Sequence, residues 1–261
     1  MAFTVHAVMP GVWHIVDCMG VCMTLLEGEN AAMLVDTGYG IEDVADFMRQ
    51  MTDLPLTVFL THNHHDHAMG ARCFPETYML EADMADWDMF TNDKMRRRVL
   101  TQAIGKNLTV DEKTFLAGEI PLPKVMKPGV IDLGGLTAEI IEAPGHTPGS
   151  AVVYVPERKL LLSGDDWNPC TWLFFPQALG LREYRSNMRG IQQLPFEKVL
   201  CPHREALYDR WMFDDFFNAL TDGNLRAAEP VNIAPYEQID TCQATLPHDQ
   251  VFVFDWAKSG L

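Results

Sequence analysis

The sequence predicts a mixed α/β (α+β) protein, on three observations. Short runs that are apolar or alternate apolar with polar recur along most of the 261 residues. Stretches with apolar residues at helical spacing follow them, and the second half of the chain repeats the first half's order of strands, then helices. No linker-like segment divides the chain, so residues 1–261 are expected to form a single domain.

In order, residues 3–9, 12–17 and 21–26 read as consecutive antiparallel strands between Gly-containing breaks, and 31–35 as a fourth strand ending at Asp36-Thr37-Gly38-Tyr39-Gly40. Ile41, Val44, Ala45, Phe47, Met48 and Met51 are spaced as one face of a helix. A strand at 56–60, a short helix from about Met69 and a strand near 78–80 come next. From 82 to about 114 the pattern is helical and rich in Met, Trp and Phe, and Pro121, Pro123 and Pro128 then punctuate a loop. Strands are expected at 130–133, 136–141, 150–155 and 159–162, with Gly134-Gly135 and Pro156-Glu157-Arg158 as turns. Helices at 181–194 and 205–218 flank a strand at 198–201, and a last strand spans 250–255.

Composition bounds the function. With 48% hydrophobic and 21% charged residues the chain is ordinary globular material. Its 36 acidic and 20 basic residues give a net charge of −16, which repels polyanions and argues against a nucleic-acid substrate. Arg96-Arg97-Arg98 is the one local basic run and reads as a solvated helix face. The six cysteines form no CxxC pair and read as small buried hydrophobes. The start of the chain lacks a basic-then-apolar leader, and no apolar stretch is long enough to span a bilayer, so a cytoplasmic location without membrane partners is the expectation.

The chemistry concentrates in Thr61-His62-Asn63-His64-His65-Asp66-His67, which holds four of the nine histidines. Imidazole and carboxylate are the ligands that borderline divalent ions such as zinc prefer. In extended backbone an i, i+2 pair points to one side, so His62 and His64 can share one ion, while Asn63 and His65 point away. A helical turn after His64 would carry Asp66 and His67 to a second position nearby.

This heptad resembles the H-x-H-x-D-H signature of the metallo-β-lactamase-fold superfamily, and further motifs follow that family's order: Leu34-Val35-Asp36-Thr37-Gly38 before it, then Ala143-Pro144-Gly145-His146, Leu161-Leu162-Ser163-Gly164-Asp165 and Cys201-Pro202-His203. The resemblance implies a four-layer αββα sandwich of two mixed sheets with helices on the outer faces, and a helical insertion at about 82–128 that covers the site. It places His62, His64 and His146 on one metal ion, and Asp66, His67 and His203 on a second. Asp165 would bridge them and Asp36 would buttress the ligands from behind. Asp66 is also the candidate catalytic residue. Asp166 is expected at the surface or behind the ligands.

Two divalent ions, zinc foremost with iron or manganese as alternatives, would hold a hydroxide between them, since bound water falls from a pKa of about 16 to about 7. Hydrolysis of a small ester, thioester, lactone or amide is the implied activity. True β-lactamases of the fold generally carry cysteine or serine where Asp165 stands. The glutathione-holding residues of glyoxalase II do not stand out after Asp165; Trp167, Trp172, Phe174 and Phe175 occupy that stretch and are candidates for an apolar substrate pocket. The alternatives are a mononuclear iron persulfide dioxygenase-like enzyme and a nucleic-acid-processing member of the fold.

Overall fold

A computed structural model describes residues 3–261. Its first sheet runs in chain order through β1 (Thr4–Met9), β2 (Val12–Val16), β3 (Cys22–Glu27), β4 (Ala32–Val35), β5 (Leu56–Phe59), β6 (Tyr78–Met79) and β7 (Lys124–Val125). The first four strands are antiparallel neighbours; β4 to β7 pair in parallel, which requires longer crossovers. One crossover carries helix α1 (Val44–Met51), another α2 (His65–Ala68). The last carries α3 (Trp87–Thr91), α4 (Asp93–Gly105) and α5 (Glu112–Phe115).

The chain continues through β8 (Gly129–Asp132), β9 (Thr137–Glu142), β10 (Ala151–Val155), β11 (Leu160–Leu162), β12 (Cys170–Leu173), α6 (Leu181–Ile191), β13 (Lys198–Leu200), β14 (Tyr208–Asp209), α7 (Arg210–Ala219), α8 (Asp222–Arg226), β15 (Glu229–Pro230), β16 (Thr241–Leu246) and β17 (Gln250–Asp255). Six of these strands form a second sheet in the order β14-β13-β11-β10-β9-β8, and β12-β17-β16-β15 form a third.

Period-two alternation builds the layers. On β4, Met33 and Val35 join the core between the first two sheets, whereas Ala32 and Leu34 pack outward with Val44, Ala45 and Met48 of α1. On β10, Ala151, Val153 and Val155 face the shared core, while Val152 and Tyr154 join Tyr184, Met188 and Ile191 of α6 and Phe213 and Phe216 of α7. Helix, sheet, sheet and helix follow one another, as the αββα sandwich requires. Phe252 and Phe254 of the third sheet close the same outer core, so a small four-stranded sheet adjoins the two expected sheets of the sandwich. The third sheet has no local signature, because β12 lies in an aromatic run and its pairing with β17 is long-range.

Local chemistry sets the boundaries. The Asp43 carboxylate accepts the Asp46 N–H at 2.9 Å and starts α1 at Val44, three residues later than the apolar spacing alone predicts. Asn92 likewise accepts the Met95 N–H at 3.0 Å and separates α3 from α4. The helix expected at about Met69 begins earlier, at His65, and continues as a 3-10 turn through Cys73. The helix expected from 205 begins at Arg210, since Tyr208 and Asp209 pair with β13. The segment expected as a helical insertion at about 82–128 contains α3 to α5 but ends in β7, an added edge strand.

Arg96, Arg97 and Arg98 do not share a solvated face. Successive helical residues point about 100° apart. Arg96 is buried, donating to the carbonyls of Phe115, Ala117 and Gly118; Arg97 is exposed; Arg98 is half-buried against the cavity described below.

Candidate metal centre

Parallel strands deliver their C-terminal ends to one edge of the sandwich, and the candidate residues all leave from there. Asp36 follows β4, the heptad follows β5, Asp165 follows β11, and His203 follows β13; His146 lies in the β9–β10 loop. Gly164 adopts φ +51, a left-handed conformation that turns the chain sharply before Asp165. The structure brings all seven predicted ligands together. Three groups of potential donors have ligand atoms within 4.8 Å of one another: His62, His64 and His146; His62, His67 and Asp165; and Asp66, His67 and His203. His64 Nδ1 and His146 Nε2 are 2.9 Å apart, and Asp165 Oδ2 lies 3.1 Å from His203 Nε2 and 3.5 Å from both His67 Nε2 and His146 Nε2.

Hydrogen bonds behind the rings select which nitrogen faces inward. The His146 Nδ1–H donates to the Trp172 carbonyl at 2.7 Å, leaving Nε2 for the site. Thr61 Oγ1 is 3.0 Å from His62 Nδ1, and the Gln177 amide is 2.6 Å from His64 Nε2. Asp36 clamps both ends of the heptad: it accepts the Thr61 N–H at 2.7 Å and the His67 Nδ1–H at 3.0 Å. It does so from a left-handed backbone, φ +64, a strained conformation for a non-glycine residue and one that functional sites concentrate.

Two further acids stand behind the candidate ligands, and for Asp166 this is the second of its two expected places. Buried Asp83 accepts the Gly149 N–H at 2.6 Å, the Thr147 hydroxyl at 2.7 Å and the Asn63 N–H at 3.2 Å, tying the His62–His64 segment to the His146 loop. Asp166 is not at the surface but fully buried, accepting the His146 N–H at 3.1 Å. Burial, with Asp165 and Asp83 adding to it, pushes its carboxyl well above the usual range. The role of Asp83 carries no sequence signal, because it depends on which loops meet in space.

The charge states divide the site. Burial, reinforced by the neighbouring imidazoles, lowers the pKa of His62 and His64, and burial also lowers that of His146, so these rings are neutral with free lone pairs. Burial opposes charge on His67 as well, but Asp165, Asp66 and Asp36 outweigh it and raise its pKa well above the ordinary value. His203 is raised in the same way, with Asp165 first among the causes opposing burial. Burial works against ionisation of Asp66, yet His67, His65 and His203 bring it down to about 2.

His62 Nε2, His67 Nε2 and Asp165 Oδ1 are buried without hydrogen-bond partners. Each such atom costs about 1–3 kcal/mol unless something satisfies it. Inward-facing lone pairs and carboxylate oxygens are what a divalent cation would satisfy, and the donor set fits one.

A cavity of about 460 Å³ opens over the cluster. Of the four aromatics expected to line a pocket, Trp172 and Phe175 do so. Trp167 and Phe174 do not: both are fully buried, Trp167 against Tyr208 and Phe213 in the outer core. Alternation on β12 explains part of this, since Thr171 and Leu173 point into the core while Cys170 and Trp172 point to the cavity. Tyr39, Phe90, Arg98, Asn168, Arg204 and Tyr236 also line it and had no distinguishing signal in the sequence.

Residues 16–203 match the family described as the metallo-beta-lactamase superfamily. The chain is 26% identical over 202 residues to the acyl-coenzyme A thioesterase MBLAC2 of Gallus gallus, covering 69% of this chain and 70% of that protein. It is 27% identical over 146 residues to the hydroxyacylglutathione hydrolase GloC of Haemophilus influenzae, covering 55% and 65% respectively. Among solved structures, the metallo-beta-lactamase from Pontibacter korlensis superposes with a TM-score of 0.60 at 18% identity, over 84% of this chain and 99% of that one, a likeness that speaks for the fold. With the family match spanning most of the chain and the seven donors gathered at the sheet edge, the chain belongs to the metallo-beta-lactamase superfamily.

Proposed function

We propose that the protein is a dinuclear metal-dependent hydrolase of a small ester, thioester, lactone or amide. The observation that carries this reading is the overlap of the three donor groups: His62 and His67 each belong to two of them, with Asp165 between, so seven donors serve two adjacent positions. A mononuclear iron site of two histidines and an aspartate would leave most of these inward-facing donors without a role. The relatives named above are a thioesterase and a hydrolase, which favours acyl transfer to water.

His62, His64 and His146 would hold one divalent ion, Asp66, His67 and His203 the other, and Asp165 both, with zinc the ion that this nitrogen and oxygen set suits best. Bound there, such ions supply Lewis-acid polarisation of a carbonyl and a water acidified toward neutrality. The protein's own contribution is orientation. Asp36, Thr61, Gln177 and the Trp172 carbonyl fix the rings, and Asp66, held ionised by the histidines around it, would serve as a ligand and hydrogen-bond acceptor rather than as a store for a proton.

The acidic balance weighs against a nucleic-acid substrate. Among the described residues no helix is long and apolar enough to cross a membrane. The six cysteines are unpaired, which fits a reducing, cytoplasmic compartment. Replacing Asp165 with Ala tests the reading: metal content and thioester turnover are both expected to fall, turnover by about 10²–10³-fold, and unchanged activity overturns it.

A further inference from the structure

The cavity over the cluster is chemically two-sided. On the side of the all-histidine group, the His64 ring sits between Phe90 and Phe175, with centroids 4.5 and 4.7 Å away. Phe175 in turn meets Tyr236 at 5.4 Å and Trp172 at 6.2 Å, completing an aromatic wall. The lining also includes Asp66, His203 and the two arginines Arg98 and Arg204, the latter next to His203 in the chain.

Arg98 projects from α4, where the i, i+4 spacing sets Gln102 beside it on the same face; both line the cavity. Its neighbours Arg96 and Arg97 pair with Asp93 and Glu112, yet among the described residues Arg98 has no carboxylate partner. Arg204 follows His203 directly and, among the described residues, donates only to the His203 carbonyl, at 2.8 Å. What sets these two apart is their place: both guanidinium groups line the cavity that opens over the cluster, where their forks can receive an anion from outside. A cavity of about 460 Å³ holds a flat acyl group and the scissile bond, with an anionic end reaching toward the arginines.

We propose, resting on the hydrolase reading above, that the substrate is a thioester or ester whose aromatic acyl group packs on Phe90, Trp172, Phe175 and Tyr236 and whose leaving group carries an anionic carboxylate or phosphate held by Arg98 and Arg204. In the reaction the water oxygen bonds to the carbonyl carbon and the carbon–sulfur or carbon–oxygen bond breaks. The leaving group departs with the bonding pair and takes up a proton, giving a carboxylic acid and an anionic thiol or alcohol.

The test uses three phenylacetyl thioesters that differ only in the leaving group: mercaptoacetate, 2-mercaptoethyl phosphate and neutral 2-mercaptoethanol. For the wild-type protein, kcat/KM is expected to be about tenfold or more higher for an anionic ester than for the neutral one, chiefly through KM, and the better anion identifies carboxylate or phosphate. The ratio should fall to about one in the Arg98→Ala, Arg204→Ala double variant, recover in part with Lys at both positions, and shrink with added salt. A wild-type protein indifferent to the charge, or a double variant that keeps the preference, overturns the proposal. If no ester is turned over, the hydrolase reading has failed by itself. Calorimetry with phenylacetylglycine against N-(2-hydroxyethyl)phenylacetamide then decides: tighter binding of the anion in wild type alone supports the arginine site, and equal binding removes it.

Discussion

The two ends of the candidate metal centre, one of three histidines and the other of two histidines and an aspartate, differ in charge and in access. His62, His64 and His146 are sealed, with no more than 4% of any of them exposed, and their lowered pKa values keep them neutral. Across the cluster, 27% of the His203 side chain and 17% of the Asp66 side chain reach solvent, and the histidines carry raised pKa values beside two carboxylates. The sealed group is organised for a cation before one arrives. On the dinuclear reading the open group would first have to exchange protons for its cation, and it is the end whose His203 and Asp66 side chains reach solvent.

The comparison can be broken most sharply by removing one ring from each end. In His64→Ala, metal bound by the sealed group is expected to be lost and thioester turnover to fall by about 10³-fold. His203→Ala should keep the ion in the sealed group and lose about 10²-fold. Metal analysis after gel filtration separates the two, and equal retention in both variants would remove the distinction.

A smaller effect is expected behind the open end. Asn tolerates the left-handed backbone of Asp36 but replaces the carboxylate that accepts from His67 Nδ1–H. Asp36→Asn should therefore weaken metal affinity at the open group by about 10–100-fold, and less at the sealed group, which Asp36 reaches only through Thr61 and His62. A competition titration with a chromophoric chelator would read both.

The smallest signal is the proton count. Because His67 and His203 have raised pKa values, the metal-free open group holds protons at pH 7, and a cation must displace them; the sealed group, already neutral, has none to give. Filling the open group should release about one proton or more, and filling the sealed group close to none. Release from the open group should decline as the pH rises through the raised pKa values. Calorimetry in buffers of different ionisation enthalpy measures this, and equal release at both steps would contradict the charge assignment.

Much of the architecture could be read from period-two and helical spacing, because buried strands and amphipathic helices write their burial into nearest neighbours: β17 falls at 250–255 as expected, and β10 and β13 within a residue at each end. The third sheet could not, since β12 pairs with β17 some eighty residues later and only that pairing distinguishes a strand from an aromatic loop.

Sequence alone marked His62, His64, Asp66 and His67 as candidate ligands, since imidazole and carboxylate at such close spacing after an apolar run is a local pattern, while His146, Asp165 and His203 stood out only through the family resemblance. Tertiary structure alone decided which acids stand behind the site and which aromatics face the cavity. Asp83 and Asp166 become supports, Trp167 and Trp172 part company, and Arg98 is left without a partner, only because segments distant in the chain meet at one sheet edge. Burial and charge pairing are properties of that meeting, and no window of neighbouring residues contains them.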